Sequence, residues 1–247
     1  RYQEVTGVQT CALPILSGKG RLAITGYSHY ILQLGHNDEP IFRDNRDYLH
    51  YLAALHALKQ RYRIQVQGWC MLENEVHLLL CPEEAPDRLG DFIKNLAGRH
   101  TRAFNARHGH RGTLWQGRYC CSVVEPGQPR LECLRYIELL AVLHGHVTSA
   151  RLYRWSSYKA RMGKTGSDQL DSDPDYLALA DTEAQRRADY RELMALGCDD
   201  RQRAFIDTTV RRSQLIGGPG FAFEVQRLTG KLIINRGPGR PRKTPRK

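Results

Sequence analysis

The sequence predicts an α+β protein with an antiparallel sheet and with helices gathered on one face of that sheet. Three observations predict it. In some short segments apolar residues alternate with polar ones, and β-branched and aromatic residues are frequent. In the segments between them, apolar residues recur at helical spacing. The two kinds of segment follow each other alternately along residues 21–146. The resulting order is strand, helix, long strand, helix, strand, helix, which fits two packed layers around one core.

The first strand and the first helix are predicted over residues 21–36 and 44–62. Residues 21–36 (RLAITGYSHYILQLGH) combine alternation with β-branched and aromatic side chains. In the second segment, Asp44 or Asn45 can cap the helix. Four apolar residues recur at helical spacing on one face of it: Tyr48, Leu52, Leu55 and Leu58.

A long second strand is predicted over residues 64–81, with a bend or bulge near Gly68, because strands of that length seldom run straight. Its second half carries one ionisable pair, Glu75 and His77. Side chains two apart in a strand share a face, so this carboxylate and imidazole should lie side by side. The residues between and beyond them, Val76 and Leu78, should point the other way.

The remaining core elements are a second helix over residues 85–109, a third strand over 113–125 and a third helix over 128–146 that stops at Gly145. Apolar residues of the second helix can share a face. Arginines and a lysine occupy the rest of its surface.

The chain is divided by its composition. Residues 5–15 (VTGVQTCALPI) reproduce the translation of a common sequencing adapter, so we interpret residues 1–16 as an artefact and exclude them. Acidic residues with Gly, Ser and Pro mark a linker with one short helix, and two helical segments broken at GGPG follow. The predicted divisions are 17–160 (core), 161–198 (acidic linker), 199–235 (helical DNA-binding extension) and 236–247 (disordered basic tail).

The charge balance favours a polyanionic partner. Lys and Arg total 37 against 26 Asp and Glu, a formal charge of +11 with a pI near 9.5. Nucleic acid is therefore the expected partner. The sequence has neither a membrane-length apolar run nor an opening secretory leader, so we expect no membrane contact and a cytoplasmic location. Its seven cysteines include no C-x-x-C pair, which argues against a zinc ribbon.

Two basic stretches are candidate DNA-binding surfaces. The first combines cations that can hold phosphates with rings on which bases can stack, namely Phe104, Trp115 and Tyr119. Its cations are Arg99, Arg102, Arg107, Arg111 and Arg118. The alternative is a solvated helix face with Trp115 in the core.

The second basic stretch lies in the tail, where residues 239–243 (GRPRK) resemble an AT-hook that slips into a narrow A·T-rich minor groove. Its candidate contacts are Arg240, Pro241, Arg242 and Lys243. A generic basic tail is the alternative, and either version would bind DNA.

Five segments together resemble the IS200-like tyrosine transposases, most closely the branch associated with repetitive extragenic palindromes. They are SHYILQLGHNDEPIF, WCMLENEVHLLL, GRHTRAFNARHGHRGTLWQGRYCCS, CLRYIELLAVLHGHV and YRWSSYKA, within residues 21–160. The resemblance implies a ferredoxin-like catalytic domain over residues 17–160. It also implies a bacterial protein, usually dimeric, that acts on hairpin single-stranded DNA.

The family's chemistry uses a tyrosine nucleophile and a divalent metal, Mg²⁺ or Mn²⁺, held by a histidine–hydrophobic–histidine motif and by an Asn or Gln on the tyrosine's helix. By resemblance, Tyr136 is the nucleophile, which would hold the DNA 5′ end as a phosphotyrosine, and His77 is the second metal histidine. The chain departs from the pattern twice. Glu75 stands where the first histidine is expected, and Leu140 where the helix offers Asn or Gln four residues after the tyrosine.

These departures leave two functions open. Carboxylate oxygen suits Mg²⁺ and Mn²⁺, so Glu75 and His77 form a two-ligand platform that substrate phosphates and waters could complete. Leu140 cannot coordinate a metal, and together with Glu75 in place of the first histidine it favours the alternative of a catalytically impaired or domesticated DNA-binding protein. Without the resemblance, Glu75 and His77 would be interpreted as a hydrogen-bonded strand pair. Among the other histidines, His144, one turn past Leu140, could approach the site.

Overall fold

Four strands form one antiparallel sheet within the part of the chain that the computed structural model describes, residues 21–164 and 170–233. They are β1 (Ser28–Leu34), β2 (Ile64–Met71), β3 (Glu75–Pro82) and β4 (Cys120–Val124). Their order across the sheet is β2-β3-β1-β4, and every neighbouring pair is antiparallel. With one helix between β1 and β2 and another between β3 and β4, this is the ferredoxin-like arrangement. The predicted α+β class is confirmed.

The single long strand predicted over residues 64–81 is wrong, because β2 and β3 form a hairpin there. The Leu72 N–H donates to the Glu75 carbonyl at 2.9 Å and closes the turn. Both strands are buried on both faces, so apolar residues follow one another along the sequence with few polar residues between them. The predicted irregularity near Gly68 is confirmed by a register shift between Val66 and Gly68. A Cβ atom on Gly68 would lie 2.6 Å from Leu134 Cδ1, so a larger residue there would force the next helix layer away.

Two long helices, α1 (Asn45–Tyr62) and α2 (Arg88–His108), pack side by side on one face of the sheet. Asp44 caps α1 as predicted, since its Oδ1 accepts a hydrogen bond from the Arg46 N–H at 2.8 Å. Residues such as Leu55 of α1 and Phe92 of α2 join the core cluster that includes Ile31 of β1. The layer of α1 and α2 matches the predicted placement.

Helix α3 (Gln128–Leu143) lies on the opposite face, which corrects the prediction that all helices gather on one face. Its residues pack with Tyr30 and Leu32, whereas Ile31 between them faces α1 and α2. Because β1 is apolar on both faces, both faces must be covered. Alternation within one strand could not show which face would receive the third helix.

The C-terminal half continues with α4 (Tyr158–Arg161), α5 (Pro174–Leu177), α6 (Glu183–Ala195), α7 (Asp200–Arg211) and α8 (Pro219–Thr229). Helices therefore occur where the linker helix and the two later segments are predicted. Ile206 and Val210 of α7 join the core of α3, and Val225 of α8 packs with Val123 of β4. The extension thus packs onto the sheet, while the division of the chain at 160, 198 and 235 stays a prediction.

A buried acid connects α3 to the segments that follow it. Glu138 Oε1 accepts hydrogen bonds from Ser157 Oγ at 2.5 Å and Arg161 Nε at 3.1 Å, and Tyr190 Oη donates to Oε2 at 2.9 Å. The Glu138 side chain is 0% exposed and that of Arg161 is 1% exposed. The Arg161 Nη2 also donates to the Gln67 carbonyl of β2 at 2.6 Å. One ion pair therefore fastens α3, α4, α6 and the sheet edge together.

Two predicted segments lie outside the described residues: the adapter-like residues 1–16 and the basic tail 236–247. Within the described ranges, none of the helices is both long and apolar enough to cross a bilayer.

Candidate active site between strand β3 and helix α3

Glu75 and His77 share one face of β3, as the alternation predicts. Their neighbours Val76 and Leu78 belong to the core beneath α1 and α2, so the ionisable pair points toward the side of α3. His77 Nε2 lies 3.2 Å from Glu75 Oε1, and the side chains are 2% and 7% exposed. The structure thus brings the two predicted metal ligands together in a nearly buried position.

Tyr30 of β1 fixes the orientation of the His77 ring. Its hydroxyl lies 2.7 Å from His77 Nδ1. In the tautomer that carries its proton on Nδ1, the imidazole donates to Tyr30 Oη and leaves the Nε2 lone pair facing Glu75. This buried Nε2 lies within ion-pair distance of Glu75 Oε1, at 3.2 Å, but makes no hydrogen bond of good geometry among the described residues. A buried imidazole nitrogen without such a hydrogen bond beside a carboxylate oxygen fits a divalent cation.

The surroundings of Glu75 favour its ionised form. Burial alone would raise the pKa of this carboxyl, but the adjacent His77, together with His144 and Arg211, lowers it to about 2. His144 Nε2 lies 3.9 Å from Glu75 Oε1, and Arg211 Nη2 lies 3.6 Å from Oε2. Glu75 is therefore a carboxylate at neutral pH, with its two oxygens facing different partners.

Tyr136 lies on α3 in the same layer. Its ring centroid is 6.4 Å from that of Tyr30, whose own ring is 5.8 Å from the His77 ring. The Tyr136 residue is 3% exposed. Burial raises the pKa of its phenol, and the nearby charges of Asp207 and Glu75 raise it further. A phenol in this environment needs a cation or a base close by before it can act as a nucleophile near neutral pH.

Leu140 of α3 is fully buried in the apolar core between α3 and the sheet. The position at which an Asn or Gln ligand is expected therefore faces apolar neighbours. One turn later, His144 caps the helix, and its backbone N–H donates to the Leu140 carbonyl at 2.8 Å. Burial lowers the pKa of His144, which favours the neutral imidazole. His144 approaches the site, as the sequence allowed, with its Nε2 3.9 Å from Glu75 Oε1.

Helix α7 contributes charges that sequence reasoning missed. Arg211 approaches Glu75, and the charges of Arg203 and Asp207 act on the Tyr136 phenol. Arg211 also pairs with Asp207 one turn before it, at 2.8 Å. The sequence shows only a basic amphipathic helix, and nothing local indicates that it would pack against β1 and β4 and bring Arg211 to Glu75.

The predicted arginine surface is not part of this site. Arg99, Arg102 and Arg107 belong to α2, on the opposite face of the sheet, and Arg111 and Arg118 follow α2 before β4. Arg107 pairs with Asp44 at 2.7 Å and with Asp47. The other four are exposed or half-buried.

The rings among these arginines are unsuited to base stacking. Phe104 is 1% exposed and Trp115 is 8% exposed, and Trp115 Nε1 donates to Thr101 Oγ1 at 3.1 Å. Both belong to the core, which is the alternative interpretation for Trp115. Tyr119 is half-buried, with the guanidinium of Arg21 3.9 Å above its ring. The tail contacts Arg240, Pro241, Arg242 and Lys243 lie outside the described residues.

A second acidic cluster stands at the start of α1. Donor atoms of Asp44, Asp47 and His108 lie within 4.8 Å of one another. Asp44 already caps α1, Arg107 bridges both carboxylates, and His108 Nε2 lies 2.9 Å from Asp47 Oδ2. We therefore interpret the cluster as a group of ion pairs that hold α1 against α2.

Replacing Tyr30 by Phe should weaken Mn²⁺ binding by about 10- to 100-fold, because an unrestrained His77 ring would present Nε2 less often. Isothermal titration calorimetry with Mn²⁺ would measure the change. Tyr51→Phe is the matched control, since its hydroxyl lies 3.2 Å from Gln33 Oε1 in a buried position away from Glu75. Equal affinities for wild type and Tyr30→Phe would contradict the orienting role.

Comparisons with known proteins agree with this fold. Residues 26–139 match the family model described as "Transposase IS200 like". The structure of a REP-associated tyrosine transposase bound to a REP hairpin is similar, with 17% identity and a TM-score of 0.51 over 64% of this chain and 93% of that one. A Deinococcus radiodurans protein assigned as a transposase gives 22% identity and a TM-score of 0.35, over 49% and 95%. No curated protein matches. The resemblance and the fold class predicted from the sequence are confirmed.

Proposed function

We propose that this chain, whose residues 26–139 match the IS200-like transposase model, is a transposase that binds hairpin single-stranded DNA and cleaves and rejoins it through Tyr136. One observation carries the proposal. Glu75, His77 and Tyr136 lie in one layer of a single chain, with Tyr30 between His77 and Tyr136, and His77 directs a buried nitrogen at Glu75 Oε1, 3.2 Å away. The REP-hairpin complex of the similar structure supports hairpin DNA as the substrate.

The covalent step is a transesterification. Tyr136 Oη attacks the scissile phosphorus, the bond from phosphorus to the 3′-oxygen breaks, and the DNA 5′ end remains on Tyr136 as a phosphodiester. The phenol proton passes to solvent, and the departing 3′-oxygen takes up another. Attack by a free 3′-hydroxyl reverses the step and rejoins DNA, so no bond energy is lost and no external cofactor is consumed.

Glu75 and His77 would hold the divalent cation, Mg²⁺ or Mn²⁺, which when bound supplies Lewis-acid polarisation of the phosphate. Tyr30 keeps the His77 nitrogen directed at the site. Arg211, whose guanidinium lies 3.6 Å from Glu75, and Arg203 beside Tyr136 place positive charge where a phosphate must arrive. The site residues belong to one chain, and the homodimer implied by the family would join two such sites.

The direct test uses a 3′-labelled hairpin DNA with a single-stranded flank, incubated with the protein and Mn²⁺ or with EDTA, because the fragment that stays on Tyr136 carries the 3′ end of the substrate. We expect a covalent protein–DNA adduct that survives denaturing electrophoresis, forms with Mn²⁺ and disappears with EDTA. The same flank without the hairpin should react far less. If the adduct forms equally well in EDTA, the role of the metal is contradicted. If no hairpin gives an adduct, the reaction itself is contradicted.

Basic residues away from the site would bind the remaining DNA. Arg99, Arg102, Arg111 and Arg118 are exposed or half-buried and can hold phosphates. Arg107 could do so only by leaving its carboxylate partners. We propose the tail residues Arg240, Pro241, Arg242 and Lys243 as further contacts and the bacterial cytoplasm as the place of action.

Deleting residues 236–247 should weaken DNA binding and flatten its dependence on salt. The segment contains six basic residues and no acid. If all six contact phosphates of single strands, the slope of log K against log salt should shrink by roughly 4. Fluorescence anisotropy at several salt concentrations would measure it. An unchanged slope would show that the tail takes no part.

The second candidate function is DNA binding without cleavage. Leu140 favours it, because a fully buried leucine stands where the family offers a polar ligand. The raised pKa of the Tyr136 phenol favours it too. In that case the hairpin should bind tightly, with an affinity unaffected by Mn²⁺, and no adduct should form. The adduct experiment therefore separates the two functions.

A further inference from the structure

The geometry points to His144 as the third protein ligand of the cation, taking the part that Leu140 cannot play; this inference rests on the proposed function. His144 Nε2 lies 3.9 Å from Glu75 Oε1, the same oxygen that His77 Nε2 approaches at 3.2 Å. Two imidazole nitrogens thus converge on one carboxylate oxygen. One of them comes from β3 and the other from the end of α3.

Helix geometry explains how a residue beyond Leu140 reaches this place. Side chains on a helix lean toward its N-terminus, so each covers the surface over the preceding turn. His144 follows the last helical residue, Leu143, and still keeps the hydrogen bond from its N–H to the Leu140 carbonyl. Its ring therefore leans back over the turn of Leu140. Leu140 itself faces the core and is fully buried.

The separations of the donor atoms suit a small hard cation. Ligands about 2.1 Å from an octahedral ion lie about 3 Å apart when adjacent and about 4.2 Å apart when opposite. The two nitrogen-to-oxygen distances, 3.2 and 3.9 Å, fall within that window. The donor atoms of Glu75, His77 and His144 do not all lie within 4.8 Å of one another, so the His144 side chain would have to move toward His77 before all three donors could surround one ion.

Of the two carboxylate oxygens of Glu75, Oε1 is the one available to a cation. Arg211 approaches Oε2 at 3.6 Å, whereas both imidazoles approach Oε1. Oε1 is thus the oxygen that an ion would share with the two nitrogens. The His144 side chain is 36% exposed, so the ion would sit between a buried ligand and an open side. Water or a DNA phosphate could complete the shell from there.

The test is Mn²⁺ binding measured without DNA. Calorimetry gives the affinity, and electron spin echo envelope modulation counts the imidazole nitrogens bound to Mn²⁺. We expect two in the wild type. In His144→Ala we expect one nitrogen and an affinity lower by at least about 10-fold, since even outer-shell partners are worth that much. His144→Phe, which keeps a ring at the helix end, should behave like His144→Ala.

His146→Ala is the matched control, because the His146 ring lies parallel to His144 at 6.3 Å. It should bind Mn²⁺ like the wild type. If His77→Ala loses binding while the wild type shows only one bound nitrogen and His144→Ala keeps that count and the wild-type affinity, the assignment of His144 is overturned and the Glu75–His77 platform stands. If the wild type binds no Mn²⁺ at all, both the assignment and the metal part of the proposed function are overturned.

Discussion

Replacing Tyr136 by Phe should abolish the covalent DNA adduct and reduce strand cleavage by more than about 10⁴-fold, because no other group replaces a removed nucleophile in a transesterification. Hairpin affinity should change little, since the variant loses one buried hydroxyl. Denaturing electrophoresis of a labelled hairpin with Mn²⁺ would measure the adduct. Anisotropy would measure binding.

Tyr62→Phe is the control for this experiment. Tyr62 is the last residue of α1, against Phe92 of α2 on the opposite face of the sheet, and should support a wild-type rate. Full-rate adduct formation by Tyr136→Phe would assign the nucleophile to another residue. Slow adduct formation by wild type that stops in Tyr136→Phe would instead indicate an intact but inefficient site.

Replacing Glu138 by Leu should lower the free energy of unfolding by about 3 to 5 kcal/mol, because it leaves the Arg161 guanidinium buried without its counter-charge. The same pair also holds Ser157 and Tyr190. Loss of these contacts would loosen α4 and α6 from α3, the helix that carries Tyr136. Urea denaturation followed by circular dichroism would measure the change.

The double variant Glu138→Leu with Arg161→Leu separates charge burial from packing. It should be less destabilised than the sum of the two single variants, since neither charge is then left alone. Glu84→Gln is the surface control. Its ion pair with Arg88 is 2.7 Å long, but both side chains are more than 40% exposed, so the loss should stay below about 1 kcal/mol. Strictly additive effects of the two buried substitutions would contradict the coupling.

Local patterns predicted those parts of the site that depend on one element. The alternation of β3 placed Glu75 and His77 on one face before any fold was known, and residue type and position limited the cap of α1 to Asp44 or Asn45, of which the structure shows Asp44. Tyr30 was missed because its role requires the pairing of β1 with β3. In that register Tyr30 lies opposite Leu79, and the diagonal neighbour on the same face is His77.

Other parts depend on contacts between distant segments. The turn between β2 and β3 could not be predicted because the apolar residues of both strands form one nearly continuous run. The side of the sheet on which α3 lies could not be predicted either, since it depends on which face of β1 the first two helices cover. The arginines of α2 share a basic stretch in sequence but lie across the sheet from Tyr136. The cation that does approach Glu75, Arg211, comes from α7, a helix whose docking leaves no local signal.

The most direct measurement is the anomalous scattering of Mn²⁺ in crystals of the protein with a hairpin DNA. We expect one strong peak bounded by Glu75 Oε1 and His77 Nε2, with the scissile phosphate between that peak and the Tyr136 hydroxyl. A site without a peak, or a peak only at Asp44, Asp47 and His108, would contradict it.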